Sequence, residues 1–131
     1  QLLTITGFSP NFLSKRPPHV VRRMVQDTLA SLPQGIGRQS ELDQRIDITA
    51  DLAEIKASTL VIGCRDDQMV PVQHARGLVA PIRWSDYTEL ESGHLALFEQ
   101  PAALTQAVAG FLDRPERRAG RQPFEGDDRR E

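Results

Sequence analysis

Between Ser58 and Leu112 the chain alternates between two kinds of hydrophobic pattern, and this alternation restricts the fold more than any other feature. STLVIG (58–63) is a continuous apolar, β-branched run closed by glycine, which suits a strand covered on both faces. PVQHARGLVA (71–80) places Val72, Ala75, Leu78 and Val79 on one helical stripe, with Pro71 at a helix start, where a missing N–H costs little. WSDYTEL (84–90) reads as a second, less apolar strand. PAALTQAVAGFL (101–112) reads as a closing helix with Leu104, Val108, Phe111 and Leu112 turned inward. Strand, helix, strand and helix joined by short connections imply parallel strands with right-handed crossovers. The fold class is therefore α/β, with two neighbouring parallel strands and helices packed on them.

The segment before this unit reads differently. QLLTITGF (1–8) is apolar and β-branched enough for a short strand or a packed extended segment. Pro17 and Pro18 open a helix in which Val21, Met24, Val25, Thr28, Leu29 and Leu32 keep i, i+3/i+4 spacing, and Pro33 and Gly35 end it. Further helical stretches are expected over 39–46 and, briefly, over 51–55. From Asp113 to Glu131 the composition collapses to alternating charges with Phe124 as its one large apolar residue. Such a segment buries too little surface to offset its ordering entropy, so a disordered, solvated tail is expected over 113–131.

Composition narrows the function classes. Lys+Arg number 16 against Asp+Glu 18, a formal net charge of −2, which gives no reason to expect a nucleic-acid or membrane partner. No apolar run approaches the ~20 residues of a membrane-spanning helix. Cys64 is the sole cysteine, which rules out an intrachain disulfide and fits a reducing, cytoplasmic setting. Gln1 in place of a methionine is expected of a chain that starts within a longer product.

In a parallel α/β sheet the loops after the strands' C-terminal ends emerge along one edge, and sites form there. The first strand ends in GCRDDQMVP and the second in ESGHLALFEQP. Neighbouring strands lie ~4.8 Å apart, so these loops stand side by side. One offers Asp66 and Asp67, the other His94. A carboxylate facing an imidazole can hold one tautomer and stabilise the imidazolium that forms when the ring takes a proton. Gly93 is expected to let the chain turn sharply and bring His94 to the edge. Both aspartates can also be read as solvated turn formers.

These residues carry a resemblance. From about Leu52 to Leu112 the sequence resembles the C-terminal portion of an α/β-hydrolase. In that family, a G-x-x-x-D-x-x-V-P-like turn holds the triad acid and a later G-H-x-x-x-x-E-x-P-like segment holds the histidine. Here they stand as Gly63, Asp67, Val70 and Pro71, then Gly93, His94, Glu99 and Pro101. The order, acid before histidine, agrees. One departure is Ser58, where the family often has a proline before the strand. The resemblance implies a C-terminal core segment over 51–112 preceded by partial cap helices over 1–50, with Asp67 as triad acid, Asp66 as the alternative and His94 as the base. It implies small ester, lactone, thioester or amide substrates, with C–C or epoxide hydrolysis as variants, and no cofactor. No metal-ligand cluster stands out. Glu99 is expected to cap or brace the helix beginning near Pro101, His74 to be a surface residue, His19 to do no more than sit near a proline-led helix start, and Cys64 to be a small buried side chain.

The third triad member is missing from the sequence. No G-x-S-x-G elbow occurs. TGFSPN comes nearest, but Asn11 replaces the last glycine. Pro10 follows the serine and has no N–H for the oxyanion hole, which rejects Ser9 as nucleophile. The remaining serines, 14, 31, 40, 58, 85 and 92, lie in no elbow-like context. The reading is a hydrolase whose nucleophile, a serine, cysteine or aspartate, comes from an N-terminal segment or a partner subunit outside this chain. The chain alone is then expected to be inactive. A non-catalytic binding or partner subunit that keeps the fold is the alternative. An unrelated α/β protein is a third reading, and it would leave Asp67 and His94 apart.

Overall fold

The computed structural model describes residues 6–31 and 34–114. The elements in order are α1 (Pro10–Ser14), α2 (Pro18–Ser31), α3 (Ile36–Asp43), a 3₁₀ turn (Thr49–Glu54), β1 (Thr59–Cys64), α4 (Val72–Val79), β2 (Ser85–Leu90), α5 (Ala96–Glu99) and α6 (Pro101–Leu112). β1 and β2 pair in parallel, with Thr59 opposite Ser85 and Cys64 opposite Leu90. The strand–helix–strand–helix order read from 58–112 is thus the observed one, with boundaries shifted by about one residue.

The strands differ because their environments differ. β1 buries Val61 and Gly63 under α4, whereas most of β2 is half-buried and only Leu90 is fully covered. Burying a side chain such as Val61 contributes roughly 1.5–3 kcal/mol. Gly63 is required by close approach. A Cβ there would lie 2.6 Å from the Tyr87 hydroxyl and 3.0 Å from Val72 Cγ2, so the strand can seat α4 only without a side chain at that point. The predicted stripe Val72, Ala75, Leu78 and Val79 is half-buried along α4. Thr59 donates its N–H to the Trp84 carbonyl at 2.9 Å, and the Ser85 hydroxyl donates to the Val79 carbonyl at 2.9 Å, closing the crossover at its base.

The closing helix is only partly as expected. Leu104 and Phe111 are half-buried, but Val108 and Leu112 are exposed at 39% and 51%. α6 packs chiefly on β2 and α5, so its covered stripe is narrower than its apolar content, and Ala103 and Ala107 are half-buried beside Leu104 and Phe111. α5 was not anticipated, because a helix of four residues is too short for a helical period to register.

The N-terminal helices follow local rules. α2 begins at Pro18 and its Val21, Met24, Val25 and Thr28 are half-buried, as the spacing requires. Pro33 lies outside the described residues. Gly35 takes a left-handed φ of 99° and opens α3, three residues earlier than the expected 39–46. The extended segment expected over 1–8 falls mostly outside the described residues, and Thr6 and Gly7 are helical rather than extended. Of the expected tail, 115–131 lies outside the described residues, while Arg114 pairs with Asp86 at 2.7 Å.

Candidate active site

The ladder between the strands continues past their ends. The Arg65 N–H donates to the Leu90 carbonyl at 2.9 Å and the Asp66 N–H to the Ser92 carbonyl at 3.0 Å. These bonds hold the loop after β1 against the loop after β2, one step from the residues that matter. Asp67 Oδ2 and His94 Nδ1 meet at 2.9 Å. Asp67, rather than Asp66, therefore faces the ring, and Asp66 is exposed at the neighbouring position.

The acid is fixed from its other side. Asp67 Oδ1 accepts the N–H groups of Met69 at 2.8 Å and Val70 at 2.9 Å, an Asx-type turn that leaves Oδ2 free for the imidazole. Its side chain is only 7% exposed, whereas that of His94 is 40% exposed. The carboxylate is thus set into the loop and the ring is open on one side. Three and four residues further on, Leu97 and Phe98 of α5 are 63% and 65% exposed.

Gly93 serves a different purpose from the expected turn. Gly35 is the one described residue with a positive φ, so Gly93 uses no left-handed freedom. A Cβ at Gly93 would instead lie 2.5 Å from the Ser9 nitrogen and 2.6 Å from the Phe8 carbonyl carbon. The histidine loop is pressed against the start of α1, and only glycine fits between them.

Glu99 corrects another expectation. It does not cap α6. Its Oε1 accepts the Ser9 N–H at 2.6 Å and the Gly93 N–H at 3.1 Å, and its Oε2 accepts the Ser9 hydroxyl at 2.6 Å. Ser9 is 2% exposed, and its oxygen also accepts the Phe12 N–H at 3.1 Å, making it the N-cap of α1 with Pro10 in the first helical position. Both hydroxyl functions are committed, which agrees with its rejection as a nucleophile. Ser-Pro was a legible cap signal in the sequence. The pairing of Ser9 with Glu99, 90 residues away, had no local signal at all.

A charged cluster sits beside β2 on the α4 side. Glu89 accepts from Arg76 Nε at 2.7 Å and from the Tyr87 hydroxyl at 2.6 Å, with Arg65 Nε 3.6 Å from its other oxygen. The hydrogen bond from Arg76, then that from Tyr87, holds the Glu89 carboxyl down at about 2. Burial pushes the Tyr87 hydroxyl up, aided by its bond to Glu89. Arg65 also pairs with Glu91 at 2.6 Å, so the cluster ties the loop after β1 to the end of β2. His74 is exposed as expected, His19 is exposed too, and Cys64 is half-buried and free. Among the described residues no group of three or more metal-ligating side chains forms, and no helix is long and apolar enough to cross a membrane.

No family model matches the chain. It is 39% identical over 113 residues to the pyrrolizixenacetamide deacetylase of Xenorhabdus hominickii, covering 86% of this chain and 42% of that protein. It is 40% identical over 65 residues to the 2-hydroxy-6-oxononadienedioate/2-hydroxy-6-oxononatrienedioate hydrolase of Escherichia coli K12, covering 49% of this chain and 23% of that protein. The chain therefore spans less than half the length of these relatives. Among solved structures it superposes on MGS-M2, an α/β hydrolase enzyme from a Medee basin deep-sea metagenome library, with a TM-score of 0.67 at 22% identity. That superposition covers 92% of this chain and 44% of the other.

Proposed function

For a chain that carries the C-terminal portion of the α/β-hydrolase fold, we propose that Asp67 and His94 are the acid and base of a nucleophile–histidine–acid triad acting on small acyl substrates. The observation that carries this reading is the 2.9 Å contact between Asp67 Oδ2 and His94 Nδ1 at the C-terminal edge of a parallel sheet. A hydrogen on Nδ1, donated to the carboxylate, leaves the Nε2 lone pair free to accept a proton. As a serine or cysteine nucleophile attacks the substrate carbonyl, its proton passes to Nε2 and the imidazolium is stabilised by Asp67. The tetrahedral intermediate collapses, the leaving group takes the proton from Nε2, and an acyl-enzyme remains. Water then repeats the sequence, giving its proton to Nε2 and releasing the acid.

The nucleophile in this reading belongs to a segment or subunit outside the 131 residues, because Ser9 is committed to Glu99 and Phe12 and no elbow is present. Its identity as serine, cysteine or aspartate belongs to that segment. Esters, lactones, thioesters and amides are the proposed substrate classes. The named deacetylase among the relatives supports the acyl-transfer end of that range, and the oxo-dienedioate hydrolase shows that related chains act on other small molecules. The chain alone is proposed to be inactive, and residues 1–50 to be part of a cap over the pocket. A reducing, cytoplasmic setting suits the free Cys64.

The test is labelling of the assembled protein with a fluorophosphonate, with p-nitrophenyl acetate turnover measured in parallel. A serine-labelled adduct whose formation needs His94 supports the reading. Turnover that survives His94→Ala removes the histidine from the mechanism.

A further inference from the structure

Glu99 makes its three hydrogen bonds away from its own helix, and all three are accepted from donors. The Ser9 hydroxyl oxygen already accepts the Phe12 N–H, so its single hydrogen is directed at Glu99 Oε2. The two amides at Oε1 belong to Ser9 and to Gly93, the residue immediately before His94. A carboxylate is the side chain that meets three donors with acceptors only. Charge-assisted bonds of this kind are the stronger class.

The consequence is geometric. The Gly93 N–H fixes the Ser92–Gly93 peptide plane, one peptide before His94, and Gly93 is packed so closely on Phe8 and Ser9 that a Cβ would not fit there. The imidazole is therefore oriented at two points, at Nδ1 by Asp67 and through its backbone by Glu99. Because Glu99 also carries the N-cap of α1, its carboxylate is a side-chain link between α1 and the histidine loop, beside the Leu95 N–H bond to the Gly7 carbonyl and the packing of Gly93.

We propose that Glu99 is a positioning residue for His94, holding the ring in register with Asp67 and coupling the α1 segment to the tautomer that the histidine adopts. This rests on the reading of Asp67 and His94 as an acid–histidine pair but not on turnover. Glutamine in its place keeps one acceptor but brings an NH₂ group into a ring of donors, so at least one arm is lost. Alanine loses every arm.

The experiment is ¹⁵N–¹H spectroscopy of the histidine rings in the protein labelled at histidine, read in the neutral-imidazole form. The exposed His19 and His74 serve as internal references. The wild type is expected to show His94 protonated at Nδ1. Glu99→Ala is expected to lose that form and show the Nε2-protonated tautomer usual for an unconstrained imidazole, and Glu99→Gln to fall between the two. If Glu99→Ala does not fold, Glu99→Gln decides. An Nδ1–H tautomer retained in the folded variants, with only the unfolding midpoint lowered, would overturn the proposal and make Glu99 a brace of the fold. A wild type already in the Nε2–H form would overturn both this inference and the acid–histidine pair. Turnover that survives His94→Ala would remove the catalytic reading while leaving the tautomer result standing.

Discussion

The Asp66 amide donates to the Ser92 carbonyl at 3.0 Å, two residues before His94 and one before Asp67. This bond extends the β1–β2 ladder beyond the last paired residues, Cys64 and Leu90. The acid and the histidine thus inherit their separation from the sheet itself, and each needs only a short local device to finish its placement. For Asp67 the device is the Asx-type turn onto Met69 and Val70. For His94 it is the packing of Gly93 and the Glu99 clamp.

Replacing Asp67 with asparagine should separate geometry from charge. The amide oxygen can still accept from Met69 and Val70, so the turn is kept, but the NH₂ group turned toward Nδ1 enforces the wrong ring tautomer. In the assembled enzyme kcat should fall on the order of 10⁴-fold with an unchanged circular dichroism spectrum. Asp66→Asn, at the exposed neighbouring position, should leave kcat unaltered.

Two glycine substitutions should act in opposite directions. Gly93→Ala drives a methyl group into the backbone of Phe8 and Ser9, neither of which can yield cheaply, and should destabilise by about 1–3 kcal/mol in urea unfolding. Gly77→Ala, exposed within α4 with nothing within 4 Å of the added carbon, should stabilise by roughly 0.5–1 kcal/mol.

Acid should weaken the sheet through Glu89. Its carboxyl lies at about 2 in the folded protein against an ordinary 4.5, so the charged form is favoured by folding. That contribution is complete above pH about 4.5 and is lost as the pH falls toward about 2. Arg76→Met removes the largest cause of the shift. The gap in unfolding midpoint between wild type and variant should therefore be widest near neutrality and narrow between pH 4.5 and 2. A gap independent of pH would show that the cluster does not act through Glu89.

The sequence made the sheet edge that carries Asp67 and His94 legible because the relevant signals are local. A continuous β-branched run closed by Gly63, a stripe of four apolar residues after Pro71, and a histidine just past the second strand each register within a few residues. Parallel pairing then follows from topology, and the meeting of Asp67 with His94 follows from the pairing. What could not be read depends on contacts distant in sequence. Glu99 looked like a residue that caps or braces a helix start because Pro101 lies two positions on, whereas its partners lie at Ser9 and Gly93. Gly93 looked like a turn glycine because only its neighbours in the chain were visible, and its actual constraint is the backbone of Phe8 and Ser9. Val108 and Leu112 looked like core because periodicity reports an apolar stripe and not whether anything covers it.

The central claim is that His94 is the proton-transferring base of an acyl-transfer site. The most direct measurement is kcat for p-nitrophenyl acetate hydrolysis by the assembled enzyme before and after His94→Ala, with the fold checked by circular dichroism. The account predicts a loss on the order of 10⁴-fold or more with the spectrum unchanged. Retention of most of the wild-type rate in a folded variant would contradict it.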